Sequence, residues 1–199
     1  MKNTLLISTT NSGKQKEIVA LLKKEIVNLC LPQDISLSLK VEETGSSYAE
    51  NAYLKATAFC KASGCPALAD DTGLEVDALK GAPGLFSARF SPKPNASDAD
   101  RRTLLISKLL SVERPWKAQF VCAIVFALPD GTVFESSGFC KGEIIPQERG
   151  DNGFGYDSIF LCDDKGMTMA ELTMKEKNII SHRAKAVKAI LPFIQSAFS

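Results

Sequence analysis

An α/β or α+β domain around a mixed sheet is the fold class this sequence predicts, on three observations. Apolar strand-like runs alternate with stretches of helical periodicity. Capping boxes open two helices, at Ser47-Tyr48-Ala49-Glu50 and Thr173-Met174-Lys175-Glu176. Two apolar, β-branched stretches, 118–128 and 132–140, flank Pro129-Asp130-Gly131, a hairpin signal that makes part of the sheet antiparallel.

Taken in order, the chain opens strand, turn, helix. Leu5-Leu6-Ile7 is apolar, Thr9 to Gly13 is polar, and Lys14 to Lys24 places Ile18, Leu21 and Leu22 at helical spacing. The Ser47 helix runs through Asn51, Lys55 and Phe59 to Lys61, stopped by Gly64 and Pro66. Pro66-Ala67-Leu68-Ala69 is a short buried strand leading into Asp70-Asp71-Thr72-Gly73. Gly81 to Ala96 is punctuated by glycine and proline and reads as loop. Ser97 or Asp98 caps a helix through Leu104, Leu105, Ile106, Leu109 and Leu110. Gly150-Asp151-Asn152-Gly153-Phe154-Gly155 is a flexible loop before a strand at Ile159-Phe160-Leu161. In the C-terminal helical region, Ser181 is a good N-cap for a new helix at His182, which predicts a break near Ile179–Ser181.

Composition narrows the function. At 199 residues and 45% hydrophobic, with apolar residues spread evenly, the chain suits one large domain or two small lobes sharing a core. No apolar run approaches the ~20 residues of a membrane-spanning helix. The N-terminal apolar stretch is too short for a signal peptide, so the expected location is cytoplasmic. Six cysteines without a C-x-x-C pair, several within apolar runs, read as reduced and buried. A net charge of +1 shows no basic excess for a nucleic-acid polymer. The lone histidine, His182, excludes multi-histidine zinc sites.

Four motifs bear chemistry. Thr9-Thr10-Asn11-Ser12-Gly13-Lys14 is a strand-loop-helix junction, where free backbone N–H groups and a lysine suit an anion. It is not a Walker loop: Ser8 stands where glycine is required, and Gln15 follows the lysine. A plain capped helix start is the alternative. Asp70-Asp71 follows a buried strand, where unpaired carboxylates are costly; alternation along a strand gives the two different partners. One could hold a hard cation or act as general base, unless the pair is a solvated turn. Glu42-Glu43 lies in a polar turn and could share such a cation, with plain surface charge as the default. Lys177 and His182 would lie about 140° apart on an unbroken helix, but a break puts His182 and Arg183 in a first turn, facing an anion or a carbonyl. Together these supply a nucleotide phosphate site, with Phe154 or Tyr156 as an aromatic platform for the base.

The same residues, with Glu17, Glu50-Asn51-Ala52, Lys55-Ala56, Gly81-Ala82-Pro83-Gly84, Ser87-Ala88-Arg89-Phe90, Phe154-Gly155-Tyr156-Asp157, Ala170-Glu171-Leu172 and Ser181-His182-Arg183, occur in an order that resembles the inosine triphosphate pyrophosphatase family. The likeness spans residues 4–190. It implies an elongated, two-lobed α/β fold over 1–199 with a central mixed sheet and a cleft between the lobes. It also implies hydrolysis of dITP, ITP and XTP to monophosphate and pyrophosphate, a Mg²⁺ requirement and a homodimer. By matching motif, Thr9, Thr10, Asn11, Ser12, Gly13 and Lys14 would bind the triphosphate, and Glu42 and Asp71 would hold the metal. Asp71 would also accept the proton. Thr72, Phe154, Gly155, Tyr156, Asp157, Lys177, His182 and Arg183 would bind substrate, supported by Lys55 and Asp70. One position departs from the family: Thr10 stands where glycine is usual, and a β-branched residue at positive φ would shift the loop.

Rival readings are a nucleotidase for modified pyrimidines and a nucleotide-binding regulatory module without turnover.

Overall fold

The computed structural model describes residues 4–22 and 28–198. Its first half runs β1 (Thr4–Ile7), α1 (Ser12–Leu22), β2 (Asn28–Cys30), α2 (Tyr48–Ser63), β3 (Ala67–Val76) and β4 (Pro83–Gly84). The second half runs α3 (Asp98–Leu109), β5 (Trp116–Ala127), β6 (Val133–Ile144), β7 (Phe160–Cys162), α4 (Met174–Ile180) and α5 (His182–Phe198). The sheet is mixed and seven-stranded, in the order β2-β1-β3-β5-β6-β7 with β4 on β3. β1 is parallel to β2 and β3, whereas β4 on β3 and β7 on β6 are antiparallel. The expected mixed-sheet α/β class is therefore the observed one.

Two compact units divide the chain. The first holds Met1–Asp71, Cys122–Gly138 and Ser181–Ser199; the second holds Thr72–Val121 and Phe139–Ile180.

In the first unit, strand alternation sorts side chains into two cores. Leu5, Ile7 and Leu68 pack with Ile18 and Leu22 of α1 and Val187, Ile190 and Ile194 of α5. Leu6, Ala67 and Ala69 pack instead with Ala52, Ala56 and Phe59 of α2. Both faces are covered, which is why these strands read as unbroken apolar runs. In the second unit, Leu74, Val76, Phe120 and Phe160 enclose Leu105 and Leu109 of α3.

Several boundaries differ from expectation, each for a local reason. Asp70 to Gly73 belongs to β3, ten residues long, rather than to a turn; buried cations, described below, allow carboxylates inside a strand. The helix α1 starts at Ser12, because the Asn11 side chain caps it by accepting the Lys14 N–H at 3.0 Å. Its expected end at Lys24 lies outside the described residues. Residues 81–96 include β4 and a short 3₁₀ turn at Ser87–Arg89. The strand expected from Ile159 begins at Phe160, after a 3₁₀ turn.

At α2, Ser47 accepts the Glu50 N–H, while the Glu50 carboxylate takes the Ser46 N–H at 2.6 Å, one residue before the expected partner. The Thr173 capping box closes as read, with Glu176 accepting from the Thr173 N–H at 2.9 Å. The predicted break is also present: α4 ends at Ile180, α5 starts at His182, and Ser181 Oγ accepts the Ala184 N–H at 3.1 Å. All six cysteines are buried thiols outside any disulfide. No described helix is long and apolar enough to cross a membrane.

Candidate functional site

Asp70 and Asp71 are successive residues of β3, both buried, and alternation sends them to the two faces just described. Asp70 follows Leu68 toward α1 and α5. Its Oδ2 lies 3.1 Å from Lys14 Nζ and 3.1 Å from Arg183 Nη2, and accepts from Arg183 Nε at 3.3 Å. Arg183 also donates through Nη1 to Glu17. Burial opposes the guanidinium charge, but Asp70 and Glu17 outweigh it and raise the Arg183 pKa. Both partners come from elements that pack on one face, so the arginine is held between α1 and β3.

Asp71 follows Ala69 toward α2. Its Oδ2 accepts from Asn51 Nδ2 at 3.1 Å and its Oδ1 from Lys55 Nζ at 3.3 Å. Asn51 and Lys55 are one helical turn apart, so one face of α2 presents both donors. Lys55 also reaches Glu43 Oε1 at 2.8 Å. Burial would lower the Lys55 pKa, but Asp71, Asp70 and Glu43 together raise it, so the side chain remains an ammonium. Glu42, one residue away, is exposed.

The loop before α1 is built around Asn11 and Thr9. The Asn11 N–H donates to Thr9 Oγ1 at 3.2 Å, and Gln15 Nε2 donates to the Thr9 carbonyl at 2.7 Å. Thr10, Asn11 and Ser12 are exposed at the N-terminus of an eleven-residue helix, an arrangement that favours an anion. Thr10 is not among the residues at positive φ, so its β-branched side chain meets no left-handed backbone and the strain argument does not apply.

In the second unit, Asp157 organises the glycine loop. Its Oδ2 accepts from Lys177 Nζ at 2.6 Å and from the Phe154 N–H at 2.8 Å. The Lys177 ammonium stands 5.3 Å from the centroid of the half-buried Phe154 ring, a cation–π contact. Gly153 has φ +77°, and a Cβ there would sit 2.1 Å from Asp157 Oδ2, so only glycine leaves room for that carboxylate. Tyr156 faces inward, its hydroxyl donating to the Ser87 carbonyl at 2.9 Å. Thr72 is half-buried at the start of this unit.

His182, buried at the first turn of α5, stands against β6: a Cβ on Gly138 would lie 2.2 Å from the His182 carbonyl. The structure thus gathers Lys14, Asp70 and Arg183 in one cluster and Lys55 with Asp71 in the next. Phe154, Asp157 and Lys177 form a third. Sequence reading gave no role to Glu17 or Asn51, and considered Glu43 only jointly with Glu42. Asn51 had a signal, a polar residue one turn before Lys55 on the buried face of a helix; the Glu17–Arg183 pair, 166 residues apart, had none.

This is a mixed-sheet α/β protein whose helix N-terminus, lysines and paired carboxylates suit a polyphosphate. The chain belongs to the Ham1 family, whose model matches residues 5–193. It is 42% identical to a dITP/XTP pyrophosphatase of a Nostoc species, over 100% of this chain and 98% of that protein. A dITP/XTP pyrophosphatase of Geobacter sulfurreducens is 44% identical over 92% of each chain. The structure of a HAM1 protein from Coxiella burnetii superposes with a TM-score of 0.86 at 37% identity, covering 98% of this chain and 100% of that one.

Proposed function

We propose that this protein hydrolyses non-standard purine nucleoside triphosphates, dITP, ITP and XTP, to the monophosphate and pyrophosphate. The observation that carries this is the family match along nearly the whole chain, with relatives named dITP/XTP pyrophosphatase. The paired carboxylate of Asp71 supplies the general base that the reaction needs.

In this reading the helix start from Thr9 to Lys14 receives the triphosphate, and Lys55 offsets charge beside Asp71. A water attacks the phosphorus between nucleoside and leaving pyrophosphate; Asp71 accepts its proton, and the P–O bond to pyrophosphate breaks. Asn51 and Lys55 hold Asp71 in one orientation, so little reorganisation accompanies the step. Phe154 stacks on a purine, with Tyr156, Asp157, Lys177 and Thr72 holding the rest of the nucleoside.

The donor read against a purine 6-oxo group is an N–H of His182 or Arg183, adjacent at the first turn of α5. Such a donor is left unpaired by adenine's amino group, which costs enough to reject the wrong base.

The oxygen donors fit a hard cation. Asp71 and Glu43 converge on one ammonium, so two carboxylates stand close to where a cation would sit. Mg²⁺ wants that arrangement, one or two carboxylates with phosphate oxygens and water completing its shell. Asp71 would hold it with Glu42, the residue before Glu43 and exposed to solvent, and when bound it would neutralise phosphate charge and polarise the phosphorus. We further assign the enzyme to the cytoplasm as a homodimer, with no nucleic-acid polymer or membrane partner.

The test is pyrophosphate release, with Mg²⁺, across ITP, XTP, ATP, GTP, dUTP and modified pyrimidine triphosphates. ITP and XTP should exceed ATP, which lacks the 6-oxo group, by orders of magnitude in kcat/KM. A pyrimidine preference, or ITP binding without release, would overturn the reading. Light scattering of the eluting protein tests the dimer.

A further inference from the structure

The Gly155 peptide is gripped on both sides by the first turns of α3. Its N–H donates to Asp98 Oδ2 at 2.7 Å, and its carbonyl accepts from Arg102 Nη1 at 2.8 Å. Arg102 uses its other two nitrogens on Glu148, Nε to Oε1 at 2.9 Å and Nη2 to Oε2 at 2.8 Å, a fork-to-fork pair. Ser158 Oγ donates to the same carboxylate at 3.0 Å. The second Asp98 oxygen pairs with Arg101, which is anchored in turn on the carbonyls of Ala88 and Ala96.

Glycine at φ +64° has much conformational freedom to lose, and here two charge-assisted bonds offset that loss. The immediate neighbours of this peptide are Phe154, with its ring beside Lys177, and Tyr156, followed by Asp157. The grip borders a chamber of about 320 Å³ lined in part by Asp98, Arg102, Glu148, Phe154 and Asp157.

We propose that Asp98 and Arg102 are positioning residues for nucleobase recognition, setting through Gly155 where the Phe154 ring stands. The inference rests on the reading of the Phe154 loop as the base platform. Neither side chain contributes to the proton transfer assigned to Asp71, so their loss acts on KM before kcat.

The experiment is ITP hydrolysis by the full-length protein with Mg²⁺, for Arg102→Ala, Arg102→Lys, Asp98→Asn, Phe154→Ala and the Phe154→Ala/Arg102→Ala double variant. Arg102→Ala should raise KM about tenfold with kcat within about threefold of wild type. Asp98→Asn should raise KM about threefold, and Arg102→Lys should fall between wild type and Arg102→Ala. In the Phe154→Ala background, Arg102→Ala should change KM by less than about twofold, because the ring it places is gone.

A merely structural role would lower the active fraction, and with it the apparent kcat, leaving KM where it was. If Phe154→Ala raises KM while Asp98→Asn and both Arg102 variants keep the wild-type value, the positioning proposal is overturned and the base platform stands. Full multiplication of effects in the double variant also overturns it. An unchanged KM in Phe154→Ala removes the platform reading and the proposal together. Should Arg102→Ala not fold, Asp98→Asn and Arg102→Lys decide the matter alone.

Discussion

Arg183 Nη2 stands 3.1 Å from Asp70 Oδ2, a contact between residues 113 positions apart in the chain. Both side chains are buried, and Lys14 reaches the same oxygen while Glu17 takes Nη1. The helix that begins at His182 is thereby tied to the strand that carries Asp71 and to the helix that follows the Thr9–Asn11 loop.

Removing the guanidinium takes the buried countercharge that Asp70 and Glu17 share. Arg183→Met should therefore cost about 3–5 kcal/mol of unfolding free energy, read by urea denaturation. Arg183→Lys should restore less than half, since one ammonium cannot serve two carboxylates with the same geometry. A cost below about 1 kcal/mol for the methionine variant would refute this account of the cluster.

Asp71→Asn keeps the side chain's shape and one acceptor for Asn51 or Lys55 but removes the carboxylate proposed as the base. Turnover of ITP should fall at least about 100-fold, with unfolding free energy within about 1 kcal/mol of wild type. Pyrophosphate release and urea denaturation on the same preparation measure both, and wild-type turnover would remove Asp71 as proton acceptor.

Gly138 lets α5 lie directly on β6. A methyl there would meet the His182 carbonyl at 2.2 Å and the Ala186 N–H nitrogen at 2.6 Å, both backbone atoms that cannot rotate away. Gly138→Ala should destabilise by about 1–3 kcal/mol, seen in denaturation, and raise KM for ITP by moving His182. Unchanged stability and KM would show that the close approach has no consequence.

Burial pushes the Asp98 carboxyl upward, but its bonds from Arg101 and the Gly155 N–H, with Arg102 nearby, hold its pKa below the usual carboxylate range. A folded-state value below the unfolded value of about 3.9 contributes stability that is present above that pH and lost as pH falls through the folded value. Asp98→Asn should therefore give a shallower loss of unfolding free energy on acidification below about pH 4 than wild type. Parallel curves for the two proteins would exclude Asp98 as a source of acid sensitivity.

By itself the sequence determined what is local: the strand-loop-helix opening, the Ser47 and Thr173 caps, a helix start at Ser97 or Asp98, the Pro129-Asp130-Gly131 link and the helix break at Ser181. Each depends on residues within a turn of one another, where backbone hydrogen-bonding rules suffice. Alternation also required that Asp70 and Asp71 face opposite ways. Only the tertiary structure decided what each of them meets. Which helix covers which face of β3 is set by long-range burial: α1 and α5 bring Lys14, Glu17 and Arg183 to Asp70, and α2 brings Asn51 and Lys55 to Asp71. That same burial extended β3 through a stretch that reads as a turn, because a carboxylate is tolerated inside a strand once a partner distant in sequence supplies its countercharge.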